Sequence, residues 1–297
     1  MNRLIKKADT LIESLPYIRS FAGKSVVIKY GGNAMVKPEL KEGFAEDVVL
    51  LKYVGLKPII VHGGGPQINT MLDKLCIEAK FLHGVRVTDD ATMEIVEMVL
   101  GGKINKEIVS FLNQHGAKAV GLTGKDGQLL MTKPFNPKSL VHKYSGSKEI
   151  LQPEDYGLVG EVSHVDTKLL DTLEDANFIP VIAPIGVDAK GKTYNINADL
   201  VAGSVAAAVQ AEKLLVLSDV KGIRDAKNRH VSTLSRKDME RMVKKQVIRE
   251  GMLPKVHACL TALQGGVRKA HIIDGRIPHA ILLEIFTDKG IGTEIVA

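Results

Sequence analysis

Short apolar runs rich in β-branched residues alternate along the chain with segments of three-to-four-residue apolar period. Ser25 to Tyr30 reads as a strand ended by a Gly-Gly turn, and Glu39 to Val54 as a helix. Pro58 to His62 is a second buried strand, followed by Gly63-Gly64-Gly65 and a helix from Pro66 to Leu75. Thr88-Asp89-Asp90 looks like an N-cap before a helix from Ala91 to Leu100. Ala119 to Thr123 reads as a strand. Between Gly124 and Val165, Gly, Pro, Lys and Ser gather around short strands, which predicts a hairpin-containing insertion. Ile179 to Pro184 and Lys213 to Ser218 are buried strands on either side of a small-residue helix, Ala198 to Gln210. A polar loop, Asp219 to Arg229, leads to helices over Arg236 to Ile248 and Pro254 to Gln264. Strands around His271 to Ile273 and Ala280 to Phe286 close the chain. Strands alternating with helices imply an α/β fold, a three-layer αβα sandwich around a largely parallel central sheet.

One segment stands outside this alternation. Leu4, Ala8, Leu11, Leu15 and Ile18 form one face of an amphipathic helix that precedes the first strand, and Pro16 inside it is expected to kink or break it. The chain has 297 residues, 45% hydrophobic and 25% charged, enough for one large soluble domain or two lobes sharing a cleft. With no Trp and 4% aromatics the core must be mainly aliphatic. The net charge of +6 is spread along the chain; it suits anionic ligands and does not by itself argue for nucleic acid. The densest basic stretch, Arg241 to Arg249, is flanked by Glu240 and Glu250 and reads as a solvated helix face. Cys76 and Cys259 are too few for a disulfide framework and are expected to be buried free thiols. His257-Ala-Cys259 lacks the further ligands a metal would need. Lys6, Lys7, Asp9 and Glu13 interrupt any signal-peptide run, and no apolar stretch of membrane-spanning length exists, so no membrane association and a cytoplasmic protein are expected.

Gly23-Lys24-Ser25 matches only the tail of a P-loop, and no dinucleotide fingerprint exists, so phosphates must be held in another way. Lys29-Tyr30-Gly31-Gly32 ends the first strand, where ligands of open α/β sheets bind, and offers a point charge beside a backbone that phosphate can approach. In Val61-His62-Gly63-Gly64-Gly65-Pro66 three glycines open a helix, a concave set of N–H donors suited to an anion; His62 reads as a hydrogen-bonded core residue. Arg86, in His83-Gly84-Val85-Arg86-Val87-Thr88, sits in an apolar strand-like run and needs an anion or an internal ion pair. Tyr194-Asn195-Ile196-Asn197-Ala198-Asp199 places three small polar side chains before a helix, of which an N-cap explains only one. Leu217-Ser218-Asp219-Val220-Lys221-Gly222-Ile223 ends a strand in a polar turn. Gly251-Met252-Leu253-Pro254-Lys255 puts a lysine in a first helical turn, where it opposes the dipole unless an anion is bound.

Together and in this order, over nearly the whole chain from Ser25 onward, these segments resemble the amino-acid-kinase family. The resemblance implies two lobes, about 23–185 and 186–297, preceded by an N-terminal oligomerisation helix over 1–22. It implies ATP-dependent phosphorylation of the γ-carboxylate of N-acetyl-L-glutamate, an early step of arginine biosynthesis, with Mg²⁺ bound through the nucleotide rather than by dedicated protein ligands. By the family pattern Lys29 and Lys255 flank the transferring phosphoryl group and Asp199 orients them. The Gly63 to Gly65 turn donates N–H groups, with Gly64 and Gly65 on the substrate. Arg86 clamps the α-carboxylate and Asn195 the acetamido end. Gly31, Gly32, Ser218, Asp219, Gly222 and Arg224, with the region of Val247 to Arg249, hold the nucleotide. An acceptor carboxylate is already ionised near neutrality and needs no general base, so Asp199 is an organiser. The N-terminal helix, and the run from His271 through Glu284 to Asp288-Lys289-Gly290, resemble the arginine-inhibited members. They imply an L-arginine site at His271, Glu284 and Gly290, a homo-hexamer built as a trimer of dimers, and a PII-type signalling protein as a candidate partner. Another carboxylate or carbamate kinase of the family, or a silent arginine-binding sensor, are the alternatives.

Overall fold

A computed structural model describes residues 1–137, 152–287 and 290–297. Its centre is an eight-stranded sheet. Strands β1 (Ser25–Tyr30), β2 (Lys57–His62), β5 (Ala119–Thr123), β8 (Ile179–Ala183), β11 (Lys213–Ser218) and β13 (Lys269–Asp274) run parallel. At one edge β12 (Thr233–Ser235) and β14 (Thr293–Val296) run the other way. The order is β12–β14–β13–β11–β1–β2–β8–β5. The central strands are buried almost throughout, as parallel strands covered on both faces must be. Their period of two sorts the side chains. Val26, Ile28 and Tyr30 join the core beneath α2 (Pro38–Tyr53), where Tyr30 stacks on Phe44 at 3.7 Å. Val27 faces the opposite core, with Val201, Val205, Val256 and Cys259 of α7 (Ala198–Ala208) and α9 (Leu253–Gln264).

The expected hairpin insertion is part of a small closed barrel of β6 (Leu130–Pro134), β7 (Val159–Val165), β9 (Ile185–Val187) and β10 (Thr193–Ile196), in which β6 and β7 pair antiparallel. The rest of that insertion, 138–151, lies outside the described residues, as do Asp288 and Lys289. A two-residue ribbon, β3 (Phe81–Leu82) and β4 (Val85–Arg86), precedes α4 (Asp90–Glu97), which Asp89 caps by accepting the Thr92 N–H at 2.8 Å. The helix expected to stop at Leu100 instead continues through a π-helical segment, Met98–Ile104, into α5 (Asn105–Gln114). Gly101 and Gly102 tolerate the extra residue that a π turn inserts.

Two further expectations are corrected. Ala280–Ile285 is a helix, α10, not a strand. A short run of six apolar residues and one Glu does not distinguish the two states; here the buried Asp47 carboxylate lies beside the backbone of Ile281 and Leu282, where a negative charge favours a helix start. The closing strand is β14 instead. Cys76 is exposed, because α3 (Gly65–Lys74) ends before it and Cys76 adopts a left-handed φ of 55° in the turn beyond. Pro16 does not break the first helix: α1 (Asn2–Phe21) runs through it. Phe21 is buried, while Leu4, Leu11 and Leu15 of the apolar stripe are exposed. Two further helices, α6 (Lys168–Asp175) and α8 (Arg236–Lys244), complete the set among the described residues.

Candidate active site

Lys29 shares the parity of Val27, so β1 directs it to the face covered by α7 and α9. Asn197 caps α7, its Oδ1 accepting the N–H groups of Asp199 and Leu200. That leaves Asp199, second in the helix, to point inward. The two helices approach closely because Gly203 of α7 lies against Ala258 of α9, where a Cβ would come 2.6 Å from the Ala258 carbonyl oxygen. Lys255, in the first turn of α9, donates from Nζ to Asp199 Oδ2 at 2.9 Å, and Lys29 Nζ stands 3.1 Å from Oδ1. The Lys29 contact has ion-pair distance without hydrogen-bond direction. Burial alone would raise the Asp199 carboxyl; the ammonium groups of Lys29 and Lys255 outweigh it and hold the group below the usual carboxylate range. Three nearly buried groups thus carry a net positive charge at the end of the sheet, an arrangement fit to stabilise added negative charge.

They adjoin a cleft of about 890 Å³ whose lining includes Lys29, Gly64, Arg86, Asn195, Asp199 and Arg249. That volume is of the size small-molecule sites occupy. Lys255 meets the cleft through Asp199 rather than lining it. Arg86 is buried; its Nη2 donates to Asn69 Oδ1 at 2.6 Å and Gly65 O at 3.3 Å, and its guanidinium lies 4.7 Å from the Phe81 ring centre. Arg86 Nη1 is buried with no partner, and burial pushes the guanidinium down from its ordinary value. Such a fork, held at one nitrogen and unpaired at the other, suits a carboxylate. Asn195 donates from Nδ2 to Thr88 Oγ1 at 3.2 Å, which leaves its side-chain oxygen to accept. The glycine turn behaves differently from expectation at one position. Gly63 gives its N–H to Tyr30 O at 2.8 Å, so the donors left to the cleft are those of Gly64 and Gly65.

Among the residues expected to hold the nucleotide, Gly32 has φ +68° and a Cβ there would lie 2.8 Å from Asp219 Oδ1; one on Gly31 would lie 2.7 Å from Lys29 Nζ. Ser218 and Asp219 follow from the end of β11. Gly222 packs on Thr293 and His230, and Arg224 donates to Asn228 Oδ1 at 3.1 Å within its own loop; of the six residues expected on the nucleotide, only Gly32 lines the cleft. Gln246 and Arg249 line it too. Asn69 and Phe81, which hold Arg86, are not singled out by the sequence, and Thr88, which holds Asn195, enters there only as the end of the Arg86 motif and the start of an N-cap. Asn69 had a signal, a polar residue on the cleft-side turn of α3; Phe81 had none. Among the described residues no group of three His, Cys, Asp or Glu could hold a metal ion, and no helix is long and apolar enough to cross a membrane.

A second polar cluster lies at the far side of β13. His271 Nδ1 is 2.6 Å from Glu284 Oε1, both side chains being buried, and Ile291 donates its N–H to Glu284 Oε2 at 2.9 Å. Gly290, at φ +58°, sits over that carboxylate, where a Cβ would lie 2.7 Å from Oε1. Burial would raise Glu284, but His271, the Ile291 N–H and Lys213 hold it below its ordinary value. Lys213 Nζ lies 4.9 Å from the ring centre of Phe21, the last residue of α1.

The amino acid kinase family model matches residues 24–274. Curated relatives called acetylglutamate kinase match the chain over nearly its whole length. The one from Syntrophobacter fumaroxidans is 56% identical over 99% of this chain and 97% of its own; that from Geotalea daltonii is 56% identical over 100% of both. Among solved structures, an N-acetylglutamate synthase from Neisseria gonorrhoeae, complexed with coenzyme A and N-acetyl-glutamate, superposes with a TM-score of 0.82 at 24% identity. It covers 98% of this chain, and the chain spans 63% of its length. A carbamate kinase from Giardia lamblia bound to AMP-PNP gives 0.64 at 17% identity, covering 93% and 99%. The chain belongs to the amino acid kinase family and is a phosphotransferase. Within that family it groups with the acetylglutamate kinases.

Proposed function

We propose that the protein transfers the γ-phosphoryl group of ATP to the γ-carboxylate of N-acetyl-L-glutamate, forming N-acetyl-L-glutamyl 5-phosphate in the synthesis of arginine. The observation that carries this reading is the single buried carboxylate, Asp199, shared by Lys29 and Lys255 beside a cleft that also holds a half-paired Arg86. In this reading Arg86 Nη1 takes the α-carboxylate and Asn195 the acetamido group. The γ-carboxylate oxygen attacks the γ-phosphorus while the bond to the ADP oxygen breaks. Lys29, Lys255 and the N–H groups of Gly64 and Gly65 meet the charge on the equatorial oxygens. Gly31, Gly32, Ser218, Asp219, Gly222 and Arg224 are assigned to the nucleotide by the family pattern; magnesium enters with the nucleotide as part of the substrate. No proton has to be removed from the acceptor, which agrees with a carboxylate committed to two lysines. The test is hydroxylamine trapping of the acyl phosphate with ATP and N-acetyl-L-glutamate, glutamate or aspartate. Turnover confined to the acetylated substrate is expected; equal turnover of free glutamate would overturn the substrate assignment.

The same reading extends to regulation. His271, Glu284 and Gly290, with Lys213 and the end of α1 beside them, are proposed to bind L-arginine as a feedback inhibitor, its guanidinium on Glu284. The exposed stripe Leu4, Leu11, Leu15 supports pairing of α1 with the same helix of another subunit, in a hexamer. Deleting residues 1–20 is expected to reduce the oligomeric mass and the arginine response together; an unchanged mass and response would remove α1 as the coupling element.

A further inference from the structure

His62 is fully buried at the end of β2, yet it is not spent on packing alone. Its Nδ1 lies 2.9 Å from Gly63 O, and its Nε2 lies 3.2 Å from Asn105 Nδ2. Asn105 is also fully buried, at the first position of α5 just past the π segment. The same Nδ2 lies 2.9 Å from Val181 O and 3.3 Å from Leu122 O. An amide oxygen at that place would face two carbonyl oxygens, so the amide is oriented with its nitrogen there. That nitrogen has two protons to share among three neighbours and cannot itself accept, so a proton on His62 Nε2 would meet no acceptor there, and Nε2 is left as the accepting side of the ring. The one ring proton of the neutral imidazole then resides on Nδ1 and is donated to Gly63 O. Burial pushes this histidine down to about 4, so the neutral ring is its working form.

The consequence falls on the next peptide. A trans peptide is planar, with C=O and N–H pointing in opposite directions. Pulling the Gly63 carbonyl toward the His62 ring turns the Gly64 N–H the other way. The peptide lies between two glycines, so the backbone itself would tolerate either orientation. The π segment closes the remaining space: a Cβ on Gly64 would run into Leu100 Cδ2 and Ile104 Cδ1. Asn105 follows Ile104 directly, so one bulged stretch of helix both presses on the turn and orients the ring that holds it.

We propose that His62 and Asn105 are positioning residues for phosphoryl transfer: Asn105 keeps the His62 ring in its Nδ1–H form, and that ring fixes the Gly63–Gly64 peptide with the Gly64 N–H toward the cleft. The role assigned to that N–H rests on the kinase reading above; the orientation of ring and peptide does not.

Side-chain length separates this from simple core filling. In His62→Asn the amide nitrogen stands where Nδ1 was and still donates to Gly63 O. In His62→Gln it stands near the Nε2 position and leaves that carbonyl unheld. The expected result, by acyl-phosphate trapping, is a kcat about 10²-fold down in His62→Gln, the cost of one lost transition-state donor. The KM for ATP should be little changed, and kcat should recover at least about tenfold in His62→Asn. Core filling alone predicts the reverse, since Gln replaces more of the ring. Equal kcat in two folded variants overturns the proposal. Should either variant fail to fold, long-range ¹H–¹⁵N spectra of the wild-type protein with labelled histidine decide: a proton on Nδ1 and a bare Nε2 are expected, and a proton on Nε2 overturns the idea. Failure of the kinase reading would show instead as no acyl phosphate from the wild-type protein.

Discussion

Replacing Asp199 by Asn tests the centre of the site. The substitution keeps the shape and removes one negative charge from between two ammonium groups at 2.9 and 3.1 Å. At an effective dielectric of about 20, unit charges ~3 Å apart attract by roughly 5 kcal/mol per contact. Desolvation cancels part of this, and removing one partner of a buried pair costs about 3–5 kcal/mol of stability. Losing the anchor of both lysines should also lower kcat by at least ~10²–10³-fold. Arg86 and Asn195 do not touch Asp199, so the KM for N-acetyl-L-glutamate should move by less than about threefold. Urea unfolding and the trapping assay at saturating ATP measure the two effects separately. Because the Asp199 carboxyl is held below its ordinary value, its stabilisation is present above about pH 4 and is lost as pH falls through the lower folded value. The stability deficit of the variant should therefore narrow only in acid. A variant with kcat within about fivefold of the parent would refute the idea that Asp199 organises the lysines.

Arg86→Lys keeps the charge but loses the fork that grips Asn69 while leaving Nη1 free; the KM for N-acetyl-L-glutamate should rise about tenfold or more with that for ATP unchanged, by steady-state kinetics. Gly203→Ala gains at most about 1 kcal/mol of helix propensity but sets a methyl 2.6 Å from Ala258 O, an overpacking cost of about 1–3 kcal/mol or more. Net destabilisation with a fall in kcat is expected, and a more stable variant of normal kcat would show that α7 and α9 can part freely. Asp47, buried under α10 with His279 Nδ1 at 2.7 Å, is pushed up to about 6 by burial, which its hydrogen bonds only partly offset. A raised folded value means stability present below the ordinary pKa of 3.8 is lost as pH rises through about 6. Two units correspond to about 3 kcal/mol, so unfolding curves of Asp47→Asn should gain on the parent by up to that amount between pH 4 and pH 7, and parallel pH profiles would refute it.

What was legible in the sequence follows from range. β1 and β11 could be read to the residue because a parallel strand buried on both faces is an unbroken apolar run with polar punctuation. Lys255 stands out in the sequence because a lysine in a first helical turn opposes the helix dipole, and such local awkwardness is visible without a fold; Lys29 and Asp199 are locally ordinary and take their expected roles from the family resemblance. The continuation of α4 through Gly101 and Gly102 was not legible, since two glycines ordinarily end a helix and only packing beside the Gly64 turn keeps this one going. Nor was α10, whose start is favoured by Asp47, more than two hundred residues away in sequence. Phe81, and the contact of Thr88 with Asn195, were hidden for the same reason: each residue acquires its role only from what stands opposite.

The topology explains why such distant residues had to meet where they do. From β1 the chain first builds one side of the sheet, β2, then the edge strand β5 and then β8 between them, and afterwards the other, from β11 to β13 and the antiparallel edge. The switch of direction leaves a crevice beyond the carboxyl ends of β1 and β11, the place where open α/β sheets bind ligands. Lys29 stands at the end of β1, and Asp219 follows β11 and closes on Gly32 across that crevice. The helix leading into β11, α7, must cross the face beneath, and it brings Asp199 with it; α9, leading into β13, packs beside α7 through Gly203 and brings Lys255. One charge comes from a strand and the other two from different crossovers, so the cluster is complete only when β1 and both crossover helices are in place. The single carboxylate between two lysines is therefore also a constraint on the fold. It holds α7 and α9 to one another and to Lys29 of β1, and so ties the candidate site to the completed three-layer structure.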